Sequence, residues 1–190
     1  LKILGRFTKT PEYGGDFGAR VFKISRDTAG NRLTHLKITG GVLKVKQMLG
    51  EEKADQIRIY SGVGYTIVQE APAGTICAVT GLNSTFSGQG IGNETEAEKP
   101  VLEPVLTYRI ELPPDCDVHQ MLGKLRQLEE EIPELHSVWN ERLAEIHAQV
   151  MGEVQIEILK SLIHERFGEW VEFGAGNICL LYTSPSPRDS

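Results

Sequence analysis

The residues of this chain that could do chemistry are few and scattered. His136 and His147 lie on stretches with strand spacing. Neither has a Cys or His partner at metal-ligand spacing, so both read as structural or solvent-facing. Glu129-Glu130-Glu131 offers adjacent carboxylates, the kind of pair that acid–base chemistry uses. At the polar end of a helical stretch, however, the run reads as solvated surface. Gly88-Gln-Gly-Ile-Gly92 is rich in glycine. A phosphate-cradling loop needs Gly-x-x-x-x-Gly-Lys-Ser/Thr, whose amides surround the phosphates and whose lysine reaches them. No such run occurs, no helix follows Gly92 and no lysine is placed to help, so the segment reads as a turn. Cys77, Cys116 and Cys179 show neither finger nor redox spacing. A sparse, odd set suits a reducing compartment. Residue chemistry therefore assigns no catalytic, cofactor-binding or metal-binding residue.

Composition narrows the field further. The chain has 190 residues, 40% hydrophobic and 24% charged, enough for one large or two small soluble domains. Its net charge of −6 argues against a self-sufficient nucleic-acid binder, whose affinity comes largely from neutralising phosphates. It leaves open one contact surface of a larger assembly. No stretch approaches the roughly 20 apolar residues that span a bilayer, and Leu1-Lys2-Ile3-Leu4 is not a secretory signal. The start without methionine suggests a missing upstream portion. At the other end, the eleven residues from Cys179 to Asp189 resemble the conceptual translation of a transposase sequencing adapter. Residues 179–190 are therefore excluded from fold reasoning as a non-native tail.

The elements that would position functional side chains fall into two groups, divided near Gly92–Pro104, where residues 94–100 are polar and aperiodic. Residues 1–98, including that linker, read as all-β. Strands are expected at residues 19–24, 32–39, 42–46, 56–60, 66–68 and 75–79, the first two forming a hairpin around the Asp27–Asn31 turn. Short strands with frequent Gly turns suggest a closed barrel, which hides strand edges. Residues 103–178 change rhythm. A strand at Leu106–Leu112 ends at Pro113-Pro114. Asp117 then caps a helix, with Gln120 three residues on as a variant capping box. Val118, Met121, Leu122, Leu125 and Leu128 form its buried stripe. Strands at residues 135–139 and 143–150 flank an Asn140-Glu141-Arg142 turn. A second helix follows Gly152 with Val154, Ile158, Leu159, Leu162 and Ile163 as its stripe, and Trp170–Phe173 closes the unit as a strand. The order βαββαβ is that of a ferredoxin-like domain, giving an α+β protein overall.

A barrel followed by a βαββαβ unit resembles the second and third domains of elongation factor G-like translational GTPases, and the residues carry the likeness locally. Phe17-Gly-Ala-Arg-Val-Phe-Lys-Ile24 resembles the family's opening barrel strand. The segment from Glu70 to Leu82 is similar to its Ala-Gly-Asp-Ile…Gly-Leu stretch. There Gly74 would make the turn, Gly81 the close backbone approach, and Thr75 replaces the usual Asp. Residues 148–157 resemble the Met-Gly-Glu-Leu-His-Leu-Glu signature, with Gly152 as the permissive junction and Gln155 in place of His. The Val154-Gln155 pair is more like the tetracycline-resistance ribosomal protection proteins than elongation factor G proper. Lys46-Gln47 stands where many barrels of this family have Gly-Asp. The segment Phe173-Gly174 resembles the family's sheet exit, after which a Tyr-Lys-Glu-Thr stretch would follow.

The resemblance implies a cytoplasmic, monomeric ribosome-binding protein, with the ribosome's small-subunit rRNA and proteins as partners and neither membrane nor DNA. GTP and Mg²⁺ would bind a missing upstream domain, with no cofactor in this segment. The barrel would dock on the ribosome and the βαββαβ unit would couple nucleotide state to a fourth domain. It further implies that Arg20, Lys37, Lys44, Lys46 and Arg58, the barrel's basic residues, contact rRNA backbone, each neutralising a phosphate without reading sequence. The alternative is an independent ligand-binding protein or small enzyme on the same architecture, which would need a concave pocket with convergent polar groups.

Overall fold

The computed structural model describes residues 12–95, 106–174 and 177–178; the adapter-like stretch and most of the linker lie outside the described residues. Contacts divide the chain into two compact units, Leu1–Lys99 and Pro100–Ser190.

The first unit contains β1 (Gly18–Arg26), β2 (Arg32–Gly40), β3 (Val42–Lys44), β4 (Met48–Leu49), β5 (Glu52–Lys53), β6 (Ile57–Ser61), β7 (Gly64–Val68), β8 (Glu70–Pro72), β9 (Ile76–Val79) and β10 (Gly90–Gly92). The main sheet runs β10-β1-β2-β9-β6-β7, and β3–β8 and β4–β5 form two ribbons. Val21, Leu36, Ile38, Leu43, Leu49, Ile57, Ala71 and Val79 come from all three sheets yet share one core, so the unit is a small barrel. In β1 the register slips between Val21 and Lys23. This bulge turns both Phe22 and Lys23 outward before Ile24 returns to the core. Gly88–Gly92 is half turn and half strand, because β10 pairs with Gly18, Ala19 and Arg20.

Two polar clusters fix the loops. Asp27 accepts from the amides of Ala29 and Asn31 at 3.0 and 2.9 Å, closing the hairpin turn. Arg32 donates to the Leu82 carbonyl at 2.7 Å and to the Thr85 hydroxyl at 2.9 Å, pinning the loop after β9. The glycines of the Glu70–Leu82 segment act as their positions require. Gly74 has φ +88°, and a Cβ on Gly81 would lie 2.5 Å from the Lys53 carbonyl oxygen.

The second unit contains β11 (Leu106–Glu111), α1 (Val118–Glu131), β12 (His136–Asn140), β13 (Glu145–Val150), α2 (Glu153–Phe167), β14 (Glu172–Phe173) and β15 (Asn177–Ile178). The antiparallel sheet runs β12-β13-β11-β14, with β15 also on β11, which is the ferredoxin-like order. Ile146, Ala148 and Val150 alternate along β13 and are all buried. They share a core with Met121, Leu125 and Leu128 of α1 and Ile156, Leu159 and Ile163 of α2. Asp117 caps α1 by accepting from the amides of His119 and Gln120.

Four local expectations are corrected. The buried stripe of α2 is Ile156, Leu159 and Ile163, while Val154 and Ile158 are exposed. The apolar residues of this helix occupy more than one face, so their spacing alone does not select the inner one. Gly152 has φ −171°, extended backbone that any residue adopts, so no special freedom is needed there. The junction is held instead by Gln155, whose Oε1 accepts the Met151 amide at 2.6 Å. The final strand shrinks to Glu172–Phe173, with Val171 buried and Trp170 exposed and stacked on His164 at 3.7 Å. Glu129 and Glu131 are not merely solvated. Glu131 clamps Arg166 of α2 through two hydrogen bonds of 2.5 and 2.8 Å, and Glu129 accepts the Ser137 amide. The partner comes from the second helix, which the Glu run itself does not reveal.

Candidate nucleic-acid interface

The five basic residues singled out in the barrel do not share one environment. Arg20 of β1 lies opposite Lys37 of β2, and Lys37 lies opposite Ile76 of β9. Each of the three is exposed, because inward positions on these strands are taken by Ala19, Val21, Leu36, Ile38 and Cys77. Together with Phe22, Thr39 and Glu94 they line an open groove of about 470 Å³. The Arg20 guanidinium donates to Glu94 at 2.8 Å. The Thr39 hydroxyl, and after it Arg20, holds the Glu94 carboxyl below its ordinary range.

Lys44 is exposed on β3, opposite Glu70, and its amide donates to Gln47 Oε1 at 2.9 Å. Lys46 follows in a left-handed conformation, φ +67°, with its Nζ 2.6 Å from Asp55. The residue that the family likeness aligns with glycine thus sits in the backbone region that glycine favours.

Arg58 departs from expectation. It is only 7% exposed. Its guanidinium donates to Asp27 at 2.9 Å and to Gln56 at 3.1 and 3.2 Å, and stacks on Tyr65, 4.6 Å from the ring centroid. Strand alternation places Arg58 on the outer face, but the Asp27 turn and Tyr65 cover it there. Its charge is engaged inside the protein, and Arg58 leaves the set of candidate phosphate contacts.

Sequence reasoning missed the aromatic side chains of this face. Phe22 and His35 have ring centroids 6.2 Å apart, His35 and Tyr60 6.1 Å, and Tyr60 and Tyr65 5.3 Å. Phe22, Tyr60 and Tyr65 are 48%, 40% and 48% exposed. The signal in the sequence is weak: Tyr60 and Tyr65 flank a Gly62–Gly64 hairpin turn that puts them opposite each other.

Other groups offer little chemistry. Burial pushes the Cys77 thiol up to about 12, which suits an inert core residue. His136 pairs in register with Gln149 and His147 with Val138, so the two are diagonal neighbours rather than cross-strand partners, and the His147 Nε2 lies 3.3 Å from Glu145. Among the described residues no group of three or more His, Cys, Asp and Glu could hold a metal ion, and no helix is long and apolar enough to cross a membrane. Charge is unevenly shared. Leu1–Lys99 holds 13 Lys and Arg against 10 Asp and Glu, and Pro100–Ser190 holds 7 against 16.

A small barrel followed by a ferredoxin-like βαββαβ unit defines the class of this protein: an α+β chain whose described residues form two cores. Among known proteins, the chain is 28% identical over 197 aligned residues to elongation factor G of Ureaplasma parvum serovar 3, covering 94% of this chain and 28% of that protein. It is 30% identical over 155 residues to elongation factor 2 of Halobacterium salinarum, covering 80% and 21%. It is 32% identical over 143 residues to elongation factor 2 of Pyrococcus furiosus, covering 71% and 19%. The chain therefore resembles a segment of elongation factors G and 2, and spans less than a third of the length of these relatives. No family model matches it. In fold it is similar to a protein of known crystal structure from Thermus thermophilus, with a TM-score of 0.70 at 22% identity, over 85% of this chain and 26% of that one.

Proposed function

We propose that this chain is the barrel and ferredoxin-like portion of a translational GTPase of the elongation factor G and 2 type, and that its barrel docks on the small ribosomal subunit. The observation that carries the reading is the Arg20–Lys37 pair, side by side in an open groove on a barrel whose sequence resembles elongation factors. Two cations at this spacing suit adjacent phosphates of an RNA backbone, positioning the protein without reading bases. The Arg20–Glu94 ion pair is no obstacle: exposed ion pairs hold weakly, and a phosphate can replace the carboxylate. GTP and Mg²⁺ would bind in a domain upstream of these residues. The ferredoxin-like unit would relay nucleotide state onward, and the whole would work in the cytoplasm as a monomer.

Sedimentation of the chain with small ribosomal subunits over a series of salt concentrations tests this. R20Q/K37Q should weaken association and lower the salt slope by about 1.4 to 1.8, roughly 0.7 to 0.9 for each phosphate no longer neutralised. Wild-type association by the double variant would refute docking through this groove.

A second reading, ribosomal protection against tetracycline, rests on Val154-Gln155 at the β13–α2 junction. Replacing the matching segment of an elongation factor G with this chain separates the two. Support of growth without the drug favours translocation, and tolerance to tetracycline favours protection.

A further inference from the structure

Four rings run from the Arg20–Lys37 groove across the outer face of the barrel sheet. Phe22, the bulge residue of β1, is both a wall of the groove and the first ring of the row. His35, Tyr60 and Tyr65 continue it, with neighbouring rings inclined at 37° to 54°. Tilted packing of this kind steadies the rings without covering their faces. The far end is supported from below. Arg58 lies against one side of Tyr65 and is itself locked by Asp27 and Gln56, so Tyr65 is held on a buried cation with its other side toward solvent. His35 bonds the Ser25 hydroxyl at 2.7 Å, and burial together with nearby Lys23 lowers its pKa. At neutral pH it contributes a ring rather than a charge.

A large aromatic side chain normally buries most of its area in a core. Three of them exposed in one row mark a binding surface. The charges around the row indicate what binds. Arg20 and Lys37 stand at the groove end, and Lys23 faces outward opposite His35 in register. Cations beside open rings match a chain that carries a phosphate and a π-face in every unit. A purely apolar partner would gain nothing from the three cations.

We propose that Phe22, His35, Tyr60 and Tyr65 form a stacking platform for unpaired bases of single-stranded RNA, whose phosphates are held by Arg20, Lys37 and Lys23; the inference rests on the ribosome-docking reading and names the form of RNA that this face takes. Duplex RNA keeps its bases stacked within the helix and presents no free base face, so the platform favours loops, bulges and strand ends.

The test is fluorescence anisotropy of the full chain with labelled single-stranded RNA of about 12 nucleotides, and with a duplex of the same length, at several salt concentrations. Y60A/Y65A should weaken single-strand binding about 10-fold or more, leaving the salt slope and duplex binding unchanged. Y60F/Y65F, which keeps both rings, should bind as wild type. F22A serves as an independent variant at the other end of the row, should the double alanine variant fail to fold by circular dichroism. The platform is overturned if wild type does not bind the single strand, if folded Y60A/Y65A and F22A both bind it normally, or if the variants lose single-strand and duplex binding equally. Should the platform fail while R20Q/K37Q still weakens sedimentation with small subunits, the docking reading stands without it. Should R20Q/K37Q sediment normally, docking through this face fails on its own terms.

Discussion

Lys46 gives a direct way to separate backbone strain from charge in the barrel. Its φ of +67° lies where a residue with a Cβ is strained by about 1 to 2 kcal/mol. Glycine avoids that strain but loses about 0.4 to 1 kcal/mol through the greater freedom of the unfolded chain. The net expectation is that K46G is more stable than K46A by about 0.5 to 1 kcal/mol. Both variants remove the Lys46–Asp55 ion pair, so it cancels in the comparison. Both keep the turn's main-chain bonds, Lys46 N–H to the Ala54 carbonyl at 2.7 Å and Gln47 N–H to the Lys44 carbonyl at 3.1 Å. With a urea m-value near about 1 kcal/mol/M for a unit of this size, the midpoint should rise by about 0.5 to 1 M. The assay has a built-in control. Trp139 and Trp170 are the chain's two tryptophans, and both lie in the second unit. Tryptophan emission therefore reads that unit, while far-UV circular dichroism reads both. The dichroism transition belonging to the barrel should shift and the tryptophan transition should not. If K46G is no more stable than K46A, or if both transitions move together, the strain argument is wrong.

Three further outcomes are expected. I163A should cost about 2 to 5 kcal/mol in tryptophan-detected unfolding because Ile163 is fully buried, whereas I158A, on the exposed side of α2, should change stability by less than about 1 kcal/mol. Asn31 foremost, then Arg58, holds the Asp27 carboxyl at about 2 against an ordinary 3.8. A depressed carboxyl stabilises above its unfolded pKa and loses that contribution as pH falls through its folded one, so the barrel should weaken between about pH 4 and pH 2. D27N should flatten that part of an acid titration followed by circular dichroism, and an unchanged curve would exclude Asp27 as its source. Q155A should destabilise the second unit by about 0.5 to 1.5 kcal/mol through loss of the Met151 amide bond, measured by urea unfolding, and an unaltered midpoint would show that Gln155 does not hold the junction.

Periodicity made most of the architecture legible. Alternation along β2 and the i, i+3, i+4 spacing of α1 each follow from one face meeting one core, so local sequence carries that signal, whereas the β1 bulge that turns Phe22 outward is not written in the alternation. Where α2 departs, the reason is local degeneracy: Val154, Ile156, Ile158 and Leu159 offer competing faces, and only packing against β13 selects among them. The strand β10 is set by β1, far away in sequence, and by glycine, which carries no side-chain pattern, while β4 and β5 are two residues each around Gly50, too short for alternation to show. The same distinction governs the candidate site. Arg20 and Lys37 are outward because strand parity says so. Arg58 has the same outward parity, yet it is sealed by a turn some 30 residues upstream and a ring across the next strand. Parity assigns a face, not its exposure.

The division of charge between the units resolves the apparent conflict between an acidic chain and an RNA-facing barrel. A net charge of −6 argues against nucleic-acid binding only if the charge is spread evenly, because screening over roughly 8 to 10 Å leaves a phosphate responding to its nearest side chains. The acidic excess belongs to the second unit, and the first carries a small basic excess. Within the barrel the distribution is sharper still. Asp27 is engaged with Arg58, and Glu52 with the amides of Asn83 and Ser84, so both carboxylates have partners within the fold. Among the described residues, Glu94 is the sole acid lining the Arg20–Lys37 groove. The field at that groove is thus set by two cations and one exchangeable carboxylate. E94Q should strengthen RNA association and steepen its salt dependence, where an even charge distribution would predict no change on removing one acid among 26. Weaker binding by E94Q in the same anisotropy titration would mean that Glu94 orients Arg20 for its ligand rather than competing with it.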